Sequence, residues 1–121
     1  MRLRRLFGRR WMQSEDFRRL ALALPEVVEK SHFGRADFRV GNKIFAALPV
    51  PARGVVKLRP EQRDVMVAAE PKIFVAQPGG WGDQGWTRID LVLADEITLK
   101  SALTAAWKNV ALKSLVASSK L

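Results

Sequence analysis

Residues 32–48, HFGRADFRVGNKIFAAL, constrain the fold more than any other stretch of the chain. Phe38 and Val40 alternate with polar neighbours, Gly41-Asn42 offers a turn, and Ile44 to Leu48 is an apolar run. Alternation gives a strand one buried face, and Gly at the first position of a two-residue loop suits a type II′ turn, whose twist matches the strands it joins. A β-hairpin is therefore expected. Two registers are open to it. A two-residue turn pairs Val40 with Lys43 and Phe38 with Phe45, placing those four on one face. A three-residue loop instead groups Phe38 and Val40 with Ile44, Ala46 and Leu48. The two differ by a one-residue slip, which moves every side chain to the other face. On that choice depends whether Phe45 is core or an exposed aromatic beside Arg39.

Upstream, Phe17, Leu20, Ala21 and Leu24 recur at helical spacing, Ser14 offers a cap, and Glu15 and Asp16 suit the positive end of the helix. Pro25 stops that helix and residues 25–31 read as a connection. Downstream, 49–54 reads as a proline-bearing loop and 55–58 as a short strand. A second helix opens at Pro60 and runs to about Ala69. Residues 73–76 form another strand, 77–85 a glycine-rich loop, and 86–91 a strand. A long helix capped by Asp95 carries Ile97, Leu99, Leu103, Ala106, Trp107, Val110 and Leu115 to about Ala117. This order of elements implies an α+β fold, an antiparallel sheet with helices packed on one face.

The net charge of +9 is unevenly spread over the 121 residues. Residues 30–63 hold eight basic and two acidic side chains, whereas 64–121 hold six of each. Residues 1–11, MRLRRLFGRRW, carry five arginines and no apolar core of a secretory signal. Three readings compete for them: a phosphate-binding arm, a solvated disordered tail, or an extension upstream of a natural start at Met12. The organisation expected is thus a basic arm or extension over 1–11 and a single domain over 12–121. Clustered positive charge is the footprint of a polyanion partner.

Several chemistries find no support. The chain has no cysteine, which removes disulfides, thiolate nucleophiles and cysteine zinc sites, and which accords with a reducing cytoplasm. His32, the one histidine, stands near Ser31 and Asp37, but a triad is defined by geometry and no nucleophile turn is present; a structural, hydrogen-bonding histidine is expected. The loop GGWGDQG ends in neither Lys-Ser nor Lys-Thr, so it is no P-loop, and it leads into a strand rather than a helix, so it is no dinucleotide fingerprint. Trp86 is expected in the core at the start of its strand. Trp81, at the loop tip, is either a partly buried anchor or a side chain free to stack on a base. Trp107 is core by periodicity.

Taken together, LALALPEVVEKSHFGRADFRVGNKIFAAL, then KLRPEQRDVMV, then GWGDQGWTRIDL ahead of a terminal helix resemble the MmcQ/YjbR family over about residues 12 to 117. The resemblance implies a CyaY-like (frataxin-like) fold with a double-wing arrangement of hairpins and loops, and a DNA-binding role. The frataxin likeness would also imply iron handling, which needs clustered oxygen ligands. Here Glu15, Asp16, Glu26 and Glu29 are interleaved with Arg18 and Arg19, so no metal and no cofactor are expected.

The expectation from the sequence is therefore a cytoplasmic, sequence-nonspecific DNA-binding module without catalytic residues. Its surface would comprise Arg35, Arg39, Lys43, Arg53, Lys57, Arg59 and Arg88 on phosphates, with Trp81 probing bases. The alternatives are an adaptor domain whose basic face meets an acidic protein, and a solvated sheet edge kept from aggregating by positive charge.

Overall fold

The hairpin over 32–48 forms, and it is the middle of a larger sheet. The computed structural model of the protein describes residues 12–121; the arginine-rich segment 1–11 lies outside the described residues. In chain order the elements are helix α1 (Ser14–Leu22), strands β1 (Val28–His32), β2 (Arg35–Val40), β3 (Lys43–Val50) and β4 (Arg53–Lys57), helix α2 (Pro60–Ala69), strand β5 (Phe74–Ala76), one-turn helix α3 (Gly80–Asp83), strand β6 (Trp86–Asp90), and helices α4 (Glu96–Val110) and α5 (Lys113–Ser119). The strands form one six-stranded sheet in the order β1-β2-β3-β4-β6-β5, each neighbouring pair antiparallel. Helix α4 packs on β3 and β4, and α1 packs on α4 and β4. This is the α+β architecture expected.

The hairpin register combines the two alternatives. The turn is two residues long, with Val40 opposite Lys43 and Arg39 opposite Ile44, but Phe38 then faces Ala46 and Ala36 faces Leu48. Phe45 is the extra residue of a β-bulge, which lets Phe45, Ala46 and Leu48 all be buried on the side of the helices. Phe45 is fully buried and is no surface aromatic. Gly41 and Asn42 have φ of 56° and 65°, so the turn is type I′ rather than type II′.

Three other boundaries differ from expectation, each for a local reason. Residues 28–32 are a strand, not a connection; as an edge strand with mostly exposed side chains, β1 shows no buried alternation to betray it. Strand β4 begins at Arg53, and Pro49 lies within β3, where the β3–β4 register shifts between Ala47 and Val50. A bulge tolerates a residue with no N–H to give to the ladder. The terminal helix is broken: Ala111 is extended at φ −66°, ψ 152°, and α5 starts afresh at Lys113.

The helices are fixed by short polar contacts and one apolar stripe. Gln13, not Ser14, caps α1, its N–H donating to Asp16 Oδ2 at 2.8 Å, while Ser14 Oγ donates to the Pro51 carbonyl at 2.6 Å. Asp95 accepts from Thr98 N at 2.7 Å and caps α4 as expected. Leu99, Ala102, Leu103, Ala106 and Trp107 form the buried stripe of α4. Ile97 falls outside it and is 82% exposed. The Trp107 ring is fully buried, and its Nε1–H donates to the Pro25 carbonyl at 3.0 Å, joining α4 to the end of α1.

Phe17 of α1 lies directly on Gly54 of β4. A Cβ built on Gly54 would stand 2.2 Å from Phe17 Cε2. Gly54→Ala is therefore expected to destabilise the protein by about 1–3 kcal/mol through overpacking, read as a lower urea midpoint at unchanged slope.

Candidate functional site

Strand side chains alternate between faces, and here the two faces have different fates. Ala36, Phe38, Ala46, Val56 and Ile89 point to the helices and are buried. The opposite, outer face carries a row that crosses the sheet in register from Lys30 through Asp37, Ala47, Val55 and Arg88 to Val75. Beside this row stand Arg35 and Arg39 of β2, and Arg53 and Lys57 of β4, which pair with Asp90 and Trp86 of β6.

Five of the eight residues singled out in the sequence thus share the outer face: Arg35, Arg39, Arg53, Lys57 and Arg88. Trp81 reaches that face from α3. Lys43 is exposed but sits opposite Val40 at the far end of the β2–β3 hairpin, with the parity of the inner face. Arg59 belongs elsewhere: it precedes α2, donates to Glu61 Oε2 at 3.1 Å and to Asn109 Oδ1 of α4 at 3.2 Å, and lies by Lys100 and Lys108.

The outer-face cations are held in different ways. Arg39 makes a bidentate pair with Asp37, Nε to Oδ1 at 2.8 Å and Nη2 to Oδ2 at 3.2 Å. These hydrogen bonds raise the Arg39 pKa above its ordinary value, so the pair stays ionised and locally neutral. Arg88 Nε donates to Gln77 Oε1, which fixes the guanidinium. Lys57 Nζ stands 5.6 Å from the centroid of the Trp86 ring, a cation–π contact. Arg35 and Arg53 have no hydrogen bond or ion pair to another side chain among the described residues.

The expected core position of Trp86 is not observed. It is half-buried on the outer face, edge-on to Trp81 with ring centroids 6.2 Å apart and planes at 72°. Thr87, the next residue, takes the inward position, and its Oγ1–H donates to the Gly85 carbonyl at 2.8 Å. Trp81 is 62% exposed. The glycine-rich loop is a close-packed mount for both rings. A Cβ on Gly85, whose φ is 102°, would fall 1.7 Å from the Leu58 carbonyl oxygen, and one on Gly82 would fall 1.9 Å from that of Gln77. Arg63 of α2 donates to the Gly82 carbonyl and ties the mount to its neighbouring helix.

One aromatic was not anticipated. Phe33, at the tip of the β1–β2 hairpin, is 100% exposed and has φ of 51°, followed by Gly34 at 75°. A bulky residue in left-handed backbone is an outlier that costs about 1–2 kcal/mol, and turn chemistry would favour Asn there. The signal in the sequence was the Gly34 directly ahead of the alternating RADFRV, which is half of a type I′ turn signature. His32 beside it is exposed, its ring 5.9 Å from that of Phe33, and the Asp37 carboxylate is taken by Arg39.

Phe33 and Arg35 on one side and Trp81 and Trp86 on the other bound a groove of about 410 Å³, with Ala47 and Val55 among its lining residues. Such a groove offers cations to anions and ring faces to flat groups. The acidic side chains around α1 are used otherwise. Arg18 bonds Glu29 at 2.9 Å and also Glu15, and Arg19 bonds Glu96 at 2.9 Å and Asp16 at 3.3 Å. Hydrogen bonds, to Glu29 first for Arg18 and to Glu96 first for Arg19, raise both guanidinium pKa values. Among the described residues no group of three or more His, Asp or Glu side chains is placed to hold a metal. Nor is any described helix long and apolar enough to cross a membrane.

Phe33→Asn is expected to stabilise the protein by about 1 kcal/mol, because Asn tolerates the left-handed turn and no buried contact is lost. Urea denaturation measures this as a raised midpoint, and a lowered one would show that Phe33 supports the fold.

The crystal structure of the Deinococcus radiodurans protein DR2400, described by a DUF419 domain, has the same fold. The two match with a TM-score of 0.71 at 21% identity, over 91% of this chain and 90% of that one. No protein of curated function matches the sequence. The YjbR family model matches residues 22–109, from the end of α1 through β1–β6 to the last turn of α4. That span contains every described strand and both walls of the groove, and the chain belongs to the YjbR family.

Proposed function

We propose that this protein is a small DNA-binding module, indifferent to sequence, that works through the outer face of its sheet. The observation that carries the reading is the convergence of Arg35, Arg53, Lys57 and Arg88 with Trp81 and Trp86 on the sheet face opposite α1 and α4. Cations held at a surface displace the counterions condensed on a polyanion, which is the main source of nonspecific affinity. Two acids share the face: Asp37 is neutralised by Arg39, and Asp90, whose Oδ1 accepts from Val92 N at 3.0 Å, keeps its charge opposite Arg53 in the ladder. The role proposed is retention rather than turnover, so it calls on no catalytic group, cofactor or metal. It belongs to the cytoplasm, where DNA is at hand and a cysteine-free chain needs no disulfide.

The contrasting occupant is an acidic protein, and salt and polymer dependence separate the two. Labelled duplex DNA titrated against the full chain between about 50 and 200 mM salt should show an affinity that falls linearly on logarithmic axes. The Arg35→Ala/Lys57→Ala double variant should bind more weakly on every sequence and show a slope shallower by about 2, near 1 per lost phosphate contact. Arg59→Ala, on the other side of the molecule, should change neither. An unchanged slope in the double variant would remove the outer face from DNA binding. A salt-insensitive affinity that unrelated DNA does not compete for would favour the acidic protein.

A further inference from the structure

We infer that the groove between Phe33 and Trp81 takes single-stranded nucleic acid in preference to duplex, with bases stacked on those rings. The inference rests on the nucleic-acid reading above and specifies its ligand. A duplex hides the faces of its bases in its own stack and presents phosphates and base edges, so its binding surfaces need cations and hydrogen-bond donors at the point of contact. This groove is arranged otherwise. Among its lining residues are Ala47 and Val55, and aromatic rings stand at either end, Phe33 fully exposed and Trp81 62% exposed. The cations rim it: Arg35 by Phe33, and Lys57 and Arg88 by Trp86. Apolar trough and charged rim match a strand whose bases are unpaired and whose phosphates lie to the outside.

From β2 to β6 is three strand spacings, about 14 Å across the sheet, and the groove runs diagonally, from Phe33 ahead of β2 to Trp86 opposite Lys57 at the far end of β4; sheets that stack bases on aromatic side chains hold two or three at a time. Phe33 supplies a second, independent observation. The hairpin keeps a bulky aromatic in left-handed backbone, where Asn or Gly would sit without strain, and gives it no contact with the core. Strain retained at an exposed aromatic directs attention to what the ring does outside the fold. Trp86, edge-on to Trp81, and the close-packed Gly82 and Gly85 hold the opposite ring in place before any ligand arrives.

The test uses the full chain with a labelled oligo(dT) of about 16 nucleotides and a duplex of equal length, at one salt concentration. The single strand should bind more tightly than the duplex and quench tryptophan fluorescence. Trp81→Ala and Phe33→Asn should each weaken oligo(dT) binding by about 5- to 150-fold, the range for losing one stacked base, while Trp81→Phe retains most of it. Phe33→Asn is informative because its fold should be no less stable than that of the parent. Duplex binding as tight as single-strand binding, or oligo(dT) binding indifferent to Phe33 and Trp81, would overturn this inference and leave the DNA-binding proposal standing. Failure of both polymers to bind would overturn both.

Discussion

The bulge at Phe45 decides what each face of the sheet carries. With a two-residue turn and no bulge, Lys43, Phe45, Ala47 and Pro49 would face the helices, and Ala46 and Leu48 would face outward. One extra residue after Ile44 reverses the parity of the remainder of β3, so Phe45, Ala46 and Leu48 all enter the core. The same step turns Ala47 outward, opposite Asp37 on one side and Val55 on the other. Small and apolar at its centre, the outer row leaves a trough where a longer side chain would have filled it. Core and groove are thus two results of one inserted residue.

The sheet is consequently one-sided in its packing but not in its chemistry. Phe17 on Gly54, and Trp107 with its bond to Pro25, seal the inner face under α1 and α4. The outer face remains amphipathic: Val55 is buried there, and Lys57 and Arg88 lie half-buried beside it. Long cationic side chains can cover apolar surface and still present charge to water. Charge there is also graded. Arg39 is consumed by Asp37, Arg88 is oriented by Gln77, and Arg35 is exposed, so a count of basic residues overstates the charge on offer.

Much of this was legible in the sequence because the hydrophobic pattern is clean where burial is one-sided. The β2 alternation, the α4 stripe with its Asp95 cap and the Pro60 helix start all follow from local rules. What was not legible depended on neighbours. An edge strand such as β1 has no buried face to pattern it, and a bulge leaves no signature beyond an apolar run. Residues 86 and 87 offered Trp and Thr, of which hydrophobicity alone selects the Trp for the core. Tertiary structure places Thr87 inward instead, between Val56 and Ala76 in the ladders, where its hydroxyl reaches the Gly85 carbonyl. Of the site, the cations on β2, β4 and β6 were visible as a list, but their common face was not, since it needs the register. Arg59 entered that list on sequence proximity to Lys57, and the start of α2 carries it to the far side.

The two walls of the groove differ in how closely they are packed. On the β6 side Gly85 and Gly82 press against the carbonyls of Leu58 and Gln77, Arg63 holds the Gly82 carbonyl, and Trp86 braces Trp81. Little conformational entropy remains there to be lost when a flat group stacks on Trp81, and preorganisation of this kind raises affinity without adding contacts. On the β2 side Phe33 is fully exposed in the β1–β2 turn, and Arg35 follows it, exposed, at the start of β2. A closely packed wall thus faces one that is exposed to solvent, and both present aromatic rings. A site built to read sequence would instead need fixed donors and acceptors on both sides, because discrimination between bases rests on hydrogen bonds held in place.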